Sequence, residues 1–179
     1  MKHKIGVMGS SKLPKDKKIQ EKGKEIGREI ARHNCMLING ATTGMPHMAA
    51  MGATEESGFV LGVSPARNHT EHKMIYKLPD ECYDSIIYTG FGFNLRNIVN
   101  IRTSDALIFL RGSMGTLNEF TIAYEDNKLI GVLEGIGGVS QHFHDIINYC
   151  KKKTKAKLIF DADPQTLVKK IYKELLKRA

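Results

Sequence analysis

Residues 105–120, "DALIFLRGSMGTLNEF", set an unbroken apolar run against a glycine-containing turn and then a segment of helical composition. The run from Ala106 to Leu110 is short and bounded by a glycine turn, the character of a strand buried on both faces. The stretch "TLNEFTIAYEDN" at 116–127 reads as a helix. Strand, glycine corner and helix in direct succession make the first half of a βαβ unit, so the fold turns on whether the rest of the chain repeats it.

It does. Upstream, "KIGVMG" (4–9), "CMLIN" (35–39) and "GFVLGVS" (58–64) read as strands, separated by the helix patterns "KKIQEKGKEIGREIARH" (17–33) and "PHMAAMGATEES" (46–57), the latter with Pro46 in its first turn. Met45, Met48 and Met51 recur at helical spacing and read as core filling. Residues 65–80 carry no clean period and predict a long, mobile polar loop that includes His69, Glu71 and His72. Then "SIIYTG" (85–90) predicts a strand and "GFNLRNIVNIRTS" (92–104) a helix. After the opening stretch come strand "KLIGVL" (128–133), the glycine turn "EGIGGVS", helix "QHFHDIINYCKKK" (141–153), strand "AKLIF" (156–160) and helix "DPQTLVKKIYKELLKR" (163–178). The pattern predicts a doubly wound, Rossmann-like α/β fold: a mostly parallel sheet of about seven strands with helices on both faces, in one nucleotide-binding domain over 1–179.

Composition narrows the partners. A net charge of +8 and 7% aromatic residues would suit a polyanion, but the lysines concentrate in segments that read as solvated helix faces and loop, and no nucleic-acid motif accompanies them, so nucleic acid is not the expected ligand. Cys35, Cys82 and Cys150 are scattered, with no spacing for a disulfide framework or a structural zinc site, which points to a reducing cytoplasm. No apolar run reaches membrane-spanning length, and no signal-peptide pattern opens the chain.

In an open α/β sheet, ligands bind beyond the carboxyl ends of the strands. Three glycine loops fall on that edge: "GSSK" with Gly9, Ser10 and Ser11; "NGATTGMP" with Gly40, Thr42, Thr43 and Gly44; and "RGSMGT" with Gly112, Ser113, Met114, Gly115 and Thr116. Their amides and hydroxyls are suited to cradle a phosphate. None is a Walker A loop, and no G-x-G-x-x-G follows the first strand. Arg96, in the helix preceding the 106–110 strand, returns to the same edge and can hold a phosphate or a base edge, whereas Arg102 reads as an ordinary exposed helix arginine. Arg111 reads equally as a solvent-facing residue or an added anion contact. Glu119 has two readings. With Thr116 it matches the S/T-x-x-E capping box, which needs no chemistry; alternatively its carboxylate faces a pocket, where it can stabilise the oxocarbenium-like sugar of N-glycosidic cleavage or activate a water.

Taken together, these residues resemble the LOG family, the cytokinin-activating nucleoside 5′-monophosphate phosphoribohydrolases and their relatives. The family's P-G-G-x-G-T-x-x-E with an upstream arginine has its counterpart in "RGSMGTLNE" and Arg96, 23 residues before Glu119; "IGVMGSS" and "NGATTGMPHMAA" resemble its first two loops; and "GFNLRNIVNIRTSDALIFL" resembles the subgroup that includes the molybdenum-cofactor carrier proteins. The likeness runs over about residues 4–135. It implies a catalytic pair, Arg96 and Glu119, a phosphate cradle at 112–116, a homodimer, and hydrolysis of a purine nucleoside 5′-monophosphate with no metal or organic cofactor, a bound nucleotide or other phosphorylated ligand being the expected occupant. The alternative it implies is a non-catalytic carrier of a phosphorylated small molecule. Arg111 stands for the family's proline, Ser113 for its second glycine, Asn39 and Ala41 for glycines of the second loop, and Pro46-His47 for its Met-Gly. Relatives have also borne the label "possible lysine decarboxylase", but no lysine here stands in a recognisable pyridoxal phosphate site.

Overall fold

A computed structural model describes residues 1–178. Seven strands, β1 (Lys4–Gly9), β2 (Met36–Asn39), β3 (Val60–Ser64), β4 (Ser85–Tyr88), β5 (Ala106–Leu110), β6 (Leu129–Leu133) and β7 (Lys157–Asp161), form one sheet in the order β4-β3-β2-β1-β5-β6-β7. Every ladder is parallel. Among the described residues six α-helices accompany the sheet, five of them between strands and the last after β7: α1 (Lys17–Arg32), α2 (Met45–Glu55), α3 (Gly92–Thr103), α4 (Met114–Glu125), α5 (Phe143–Cys150) and α6 (Pro164–Leu176). This is the Rossmann-like α/β architecture.

The apolar run at 106–110 behaves as a two-faced strand. Ala106, Ile108 and Leu110 face a core built with Ile26 and Ile30 of α1, Ala49 and Ala53 of α2 and Leu167 of α6. Leu107 and Phe109 face the other layer, with Ile101 of α3, Phe120 of α4 and Phe143 of α5. There the rings of Phe120 and Phe143 stack at 3.8 Å between centroids and Phe109 meets both edge-on, the T-shaped contacts being an arrangement favoured by aromatic quadrupoles. Met45 and Met48 are buried, as their spacing predicts, whereas Met51 of the same series is only half-buried.

Strand order places the site. The chain moves outward from β1 to β4, then returns to the other side of β1 for β5 and moves outward again. The loops after β1 and β5 therefore diverge and open a crevice between them. The two strands nevertheless end in close register: Gly9 pairs with Leu110, and Ser10 N–H donates to Leu110 O at 3.2 Å. A Cβ at Gly9 would collide with that carbonyl.

The long polar loop expected over 65–80 is present between β3 and β4 and holds one regular turn. Glu71–Ile75 form a single π-helical turn. Its His72 is fully buried, with Nδ1 2.8 Å from Ser64 Oγ and Nε2 2.8 Å from the Pro79 carbonyl. Asp80 receives both His69 and Lys73. Polar anchors, which have no periodicity to read, hold the segment to the end of β3. Among the described residues no helix is long and apolar enough to cross a membrane.

Candidate functional site

A cleft of about 310 Å³ opens at the β1/β5 switch point. Gly9, Ser10, Ser11, Gly40, Thr42, Arg96, Ser113, Gly115, Thr116 and Glu119 line it, so ten of the fourteen site residues expected from sequence converge on one wall system.

The other four shape the loops from behind. Thr43 Oγ1 donates to Ser11 O at 2.9 Å, and Met45 N–H to Ser10 O at 2.8 Å, tying the β2 loop to the β1 loop. Gly44 caps α2 at φ 85°, with the Ser10 carbonyl where a side chain would begin. Gly112 takes φ 92° beneath the Thr116 side chain, which fills the place of a Cβ. Met114 opens α4 and is 77% exposed, away from the wall. Arg111 follows neither of its two readings: it adopts φ 60° at the strand end and donates from its guanidinium to the Ile136 carbonyl, outside the cleft.

The capping-box reading of Thr116 and Glu119 fails on the position of the helix start. Ser113, extended at φ −142° and ψ −147°, precedes the first helical residue, Met114, and makes no side-chain cap. Thr116 is thus the third helical residue and Glu119 the sixth. The first intrahelical bond runs from Leu117 N–H to Ser113 O at 2.9 Å. The amides of Met114, Gly115 and Thr116 precede that ladder and, with the positive end of the helix dipole, offer donors to an anion.

Glu119 is buried and accepts no hydrogen bond from its own helix among the described residues; its Oε1 lies 4.0 Å from Arg96 Nη1. Burial pushes its carboxyl up to about 7, against the opposing pull of Arg96. Burial likewise lowers the Arg96 guanidinium from its usual range, with Glu119 opposing. Arg96 Nε is buried without a partner among the described residues. Buried carboxylate–guanidinium pairs repay desolvation by short, bidentate hydrogen bonding. Here the pair stands open, with donor capacity to spare, as suits a site that completes its contacts with a ligand.

What holds Arg96 in place is non-local. Its guanidinium lies over Gly40, where any Cβ would overlap Nη1. Asn39 fixes that loop: Oδ1 accepts Ala41 N–H at 2.8 Å and Nδ2 donates to Pro46 O at 2.9 Å, while Ala41 sits at φ 49°. A side chain where the resembling family has glycine therefore does the turn's bracing. On the far side, Asn97 Nδ2 donates to Asn118 Oδ1 at 2.9 Å, locking α3 to α4 beside the pair. Pro46, noted in sequence only as a helix-opening residue and a departure from the resembling family, also lines the cleft, as do Phe93, Asn94 and Asn97, which were not singled out by sequence; the one available signal for these three was their closeness in sequence to Arg96.

Known proteins share the fold. An uncharacterized protein of Archaeoglobus fulgidus is 30% identical over 152 residues, covering 82% of this chain and 93% of its own length. A cytokinin riboside 5′-monophosphate phosphoribohydrolase of Mycobacterium tuberculosis is 31% identical over 122 residues, 65% of this chain and 59% of that protein. The structure of the molybdenum cofactor carrier protein of Chlamydomonas reinhardtii superposes with a TM-score of 0.78 over 99% of both chains, at 26% identity. Residues 2–168 match the model of the SLOG cluster4 family, and the chain belongs to that family.

Proposed function

We propose that the cleft binds a purine nucleoside 5′-monophosphate and hydrolyses its N-glycosidic bond, as in the LOG phosphoribohydrolases, to free base and ribose 5-phosphate. The observation that carries this reading is the buried Arg96–Glu119 pair, open at 4.0 Å inside a cleft whose rim is made by two glycine-serine turns. The amides at the start of α4 and the Ser10–Ser11 turn receive the 5′-phosphate, and Arg96 orients phosphate or base. As the C1′–N9 bond breaks, its electron pair leaves with the base, which takes a proton from water. The sugar carbon becomes positively charged, and the Glu119 carboxylate faces it. Water then adds at C1′ and yields its proton to Glu119, which passes it to the hydroxide left by protonation of the base, restoring the carboxylate. A carboxyl titrating at about 7 is matched to accepting that proton near neutral pH.

The similarity to the Mycobacterium tuberculosis phosphoribohydrolase supports this chemistry. The test is release of free base and ribose 5-phosphate from nucleoside monophosphates, followed chromatographically. Glu119→Gln is expected to lower turnover by about 100-fold or more; equal turnover removes Glu119 from the mechanism.

A second reading, a non-catalytic carrier of a phosphorylated small molecule, draws on the carrier-protein structure and on Ser113 at the phosphate turn. It predicts saturable binding with no product after long incubation. In either case we infer a cytoplasmic homodimer: Phe91, Leu95 and Met114 at the starts of α3 and α4 are 56%, 57% and 77% exposed, apolar surface that a second copy would cover. Light scattering in solution tests it. Nucleic acid is not part of the reading: on α1, Lys24, Arg28 and Arg32 are paired with glutamates of α1 and α2 or just beyond them, which lowers the positive charge of that face.

A further inference from the structure

The cleft has a wall that phosphate binding does not require. Phe93 lies one helical turn before Arg96 on α3, lines the cleft and is 49% exposed. Its ring is held from two directions: the Tyr76 ring meets it at 5.4 Å and 80°, and the Arg96 guanidinium carbon lies 5.9 Å from its centroid. Tyr76 closes the π-helical turn that His72 anchors to Ser64, so the 65–80 segment acts as a buttress for an aromatic ring at the cleft. Beside the ring, Pro46 and Met8 add apolar lining, and Asn94 adds an amide with no partner among the described residues. An aromatic side chain left half open in a cleft otherwise rich in glycine, serine and charge, and braced so that it does not collapse onto the surface, is a stacking platform for a flat ring.

We propose that Phe93 is the ring platform of this site, and that the chain selects phosphorylated ligands bearing a planar nitrogen heterocycle over the bare sugar phosphate. This deepens the nucleotide reading and rests on it. Stacking supplies affinity that tolerates variation in the ring, because every such ring presents a π-face. Asn94 supplies a donor and an acceptor for its polar edge. The platform serves hydrolysis and carriage alike, since both must hold the ring before anything else happens to it.

The experiment measures the affinities of adenosine 5′-monophosphate, as its C-nucleoside analogue whose glycosidic carbon–carbon bond is not hydrolysed, and of ribose 5-phosphate by calorimetry for the native chain, Phe93→Leu and Phe93→Tyr, with circular dichroism and thermal melting to establish that each is folded. The expected result is that the native chain prefers adenosine 5′-monophosphate, that Phe93→Leu lowers the ratio of the two affinities by about tenfold, the scale of base–aromatic stacking, and that Phe93→Tyr restores it. If the native chain binds both ligands but the ratio is unchanged in Phe93→Leu, the platform is overturned while the nucleotide cleft stands. If the native chain binds neither, both are overturned.

Discussion

Replacing Glu119 by glutamine keeps the side chain's shape and removes its charge, which separates what this residue costs the fold from what it does for the ligand. Its carboxyl is raised from 4.5 to about 7 by burial. A group whose folded pKa lies above its unfolded value contributes stability that is complete below pH 4.5 and is lost as pH rises through 7, because the unfolded chain then gains more by ionising. The full shift corresponds to roughly 3 kcal/mol. Below pH 4.5 a protonated Glu119 and a glutamine are nearly equivalent neighbours for Arg96; at pH 8 only the native chain bears the cost of a buried carboxylate. The variant should therefore gain relative to the native chain as pH rises from 4.5 to 8, by roughly 6–12 °C in melting temperature for a chain of this length. Paired calorimetric melts at pH 4.5, 6, 7 and 8 measure it. A difference between the two proteins that stays flat with pH, or that grows in favour of the native chain, refutes the reasoning: Arg96 would then be holding Glu119 ionised like an ordinary paired carboxylate.

Two further substitutions probe how the pair is positioned. Gly40→Ala places a methyl group inside the Arg96 guanidinium; overpacking of this kind costs about 1–3 kcal/mol, and affinity for adenosine 5′-monophosphate should fall about tenfold with the fold retained by circular dichroism, whereas unchanged affinity would show that Arg96 has no part in binding. Asn39→Ala deletes two buried hydrogen bonds that brace the second loop and should lower the free energy of unfolding in urea by about 1–3 kcal/mol; a midpoint equal to that of the native chain would mean the loop is held elsewhere.

The architecture was legible because strands buried on both faces leave unbroken apolar runs. β5 and β6 are fully buried along their length, and the glycine corners between runs and helices mark the loops. The convergence of those loops follows from the fold rule rather than from any one motif. Glu119 shows where local pattern misleads. Thr116-Leu-Asn-Glu119 satisfies the capping-box pattern, yet the helix start is set upstream by the positive φ of Gly112 and the extended Ser113, which carries the glutamate past the cap and into the cleft. The π turn at 71–75 and the buried His72 were hidden because hydrogen bonds to Ser64 and Pro79, not periodic burial, create them. Gly40 under Arg96 and Asn97 against Asn118 join residues 56 and 21 positions apart, a relation that only the folded chain expresses.

The most direct measurement is a crystal structure with adenosine 5′-monophosphate, read for the position of the phosphorus. Phosphate oxygens are expected at about 3 Å from amides of the Ser10–Ser11 and Ser113–Thr116 turns, with Glu119 facing the ribose and Arg96 the phosphate or base. A nucleotide seated instead in the basic cleft at the opposite end of the sheet, where Lys2, Lys4 and Lys128 gather, with the β1/β5 crevice empty, would contradict this expectation.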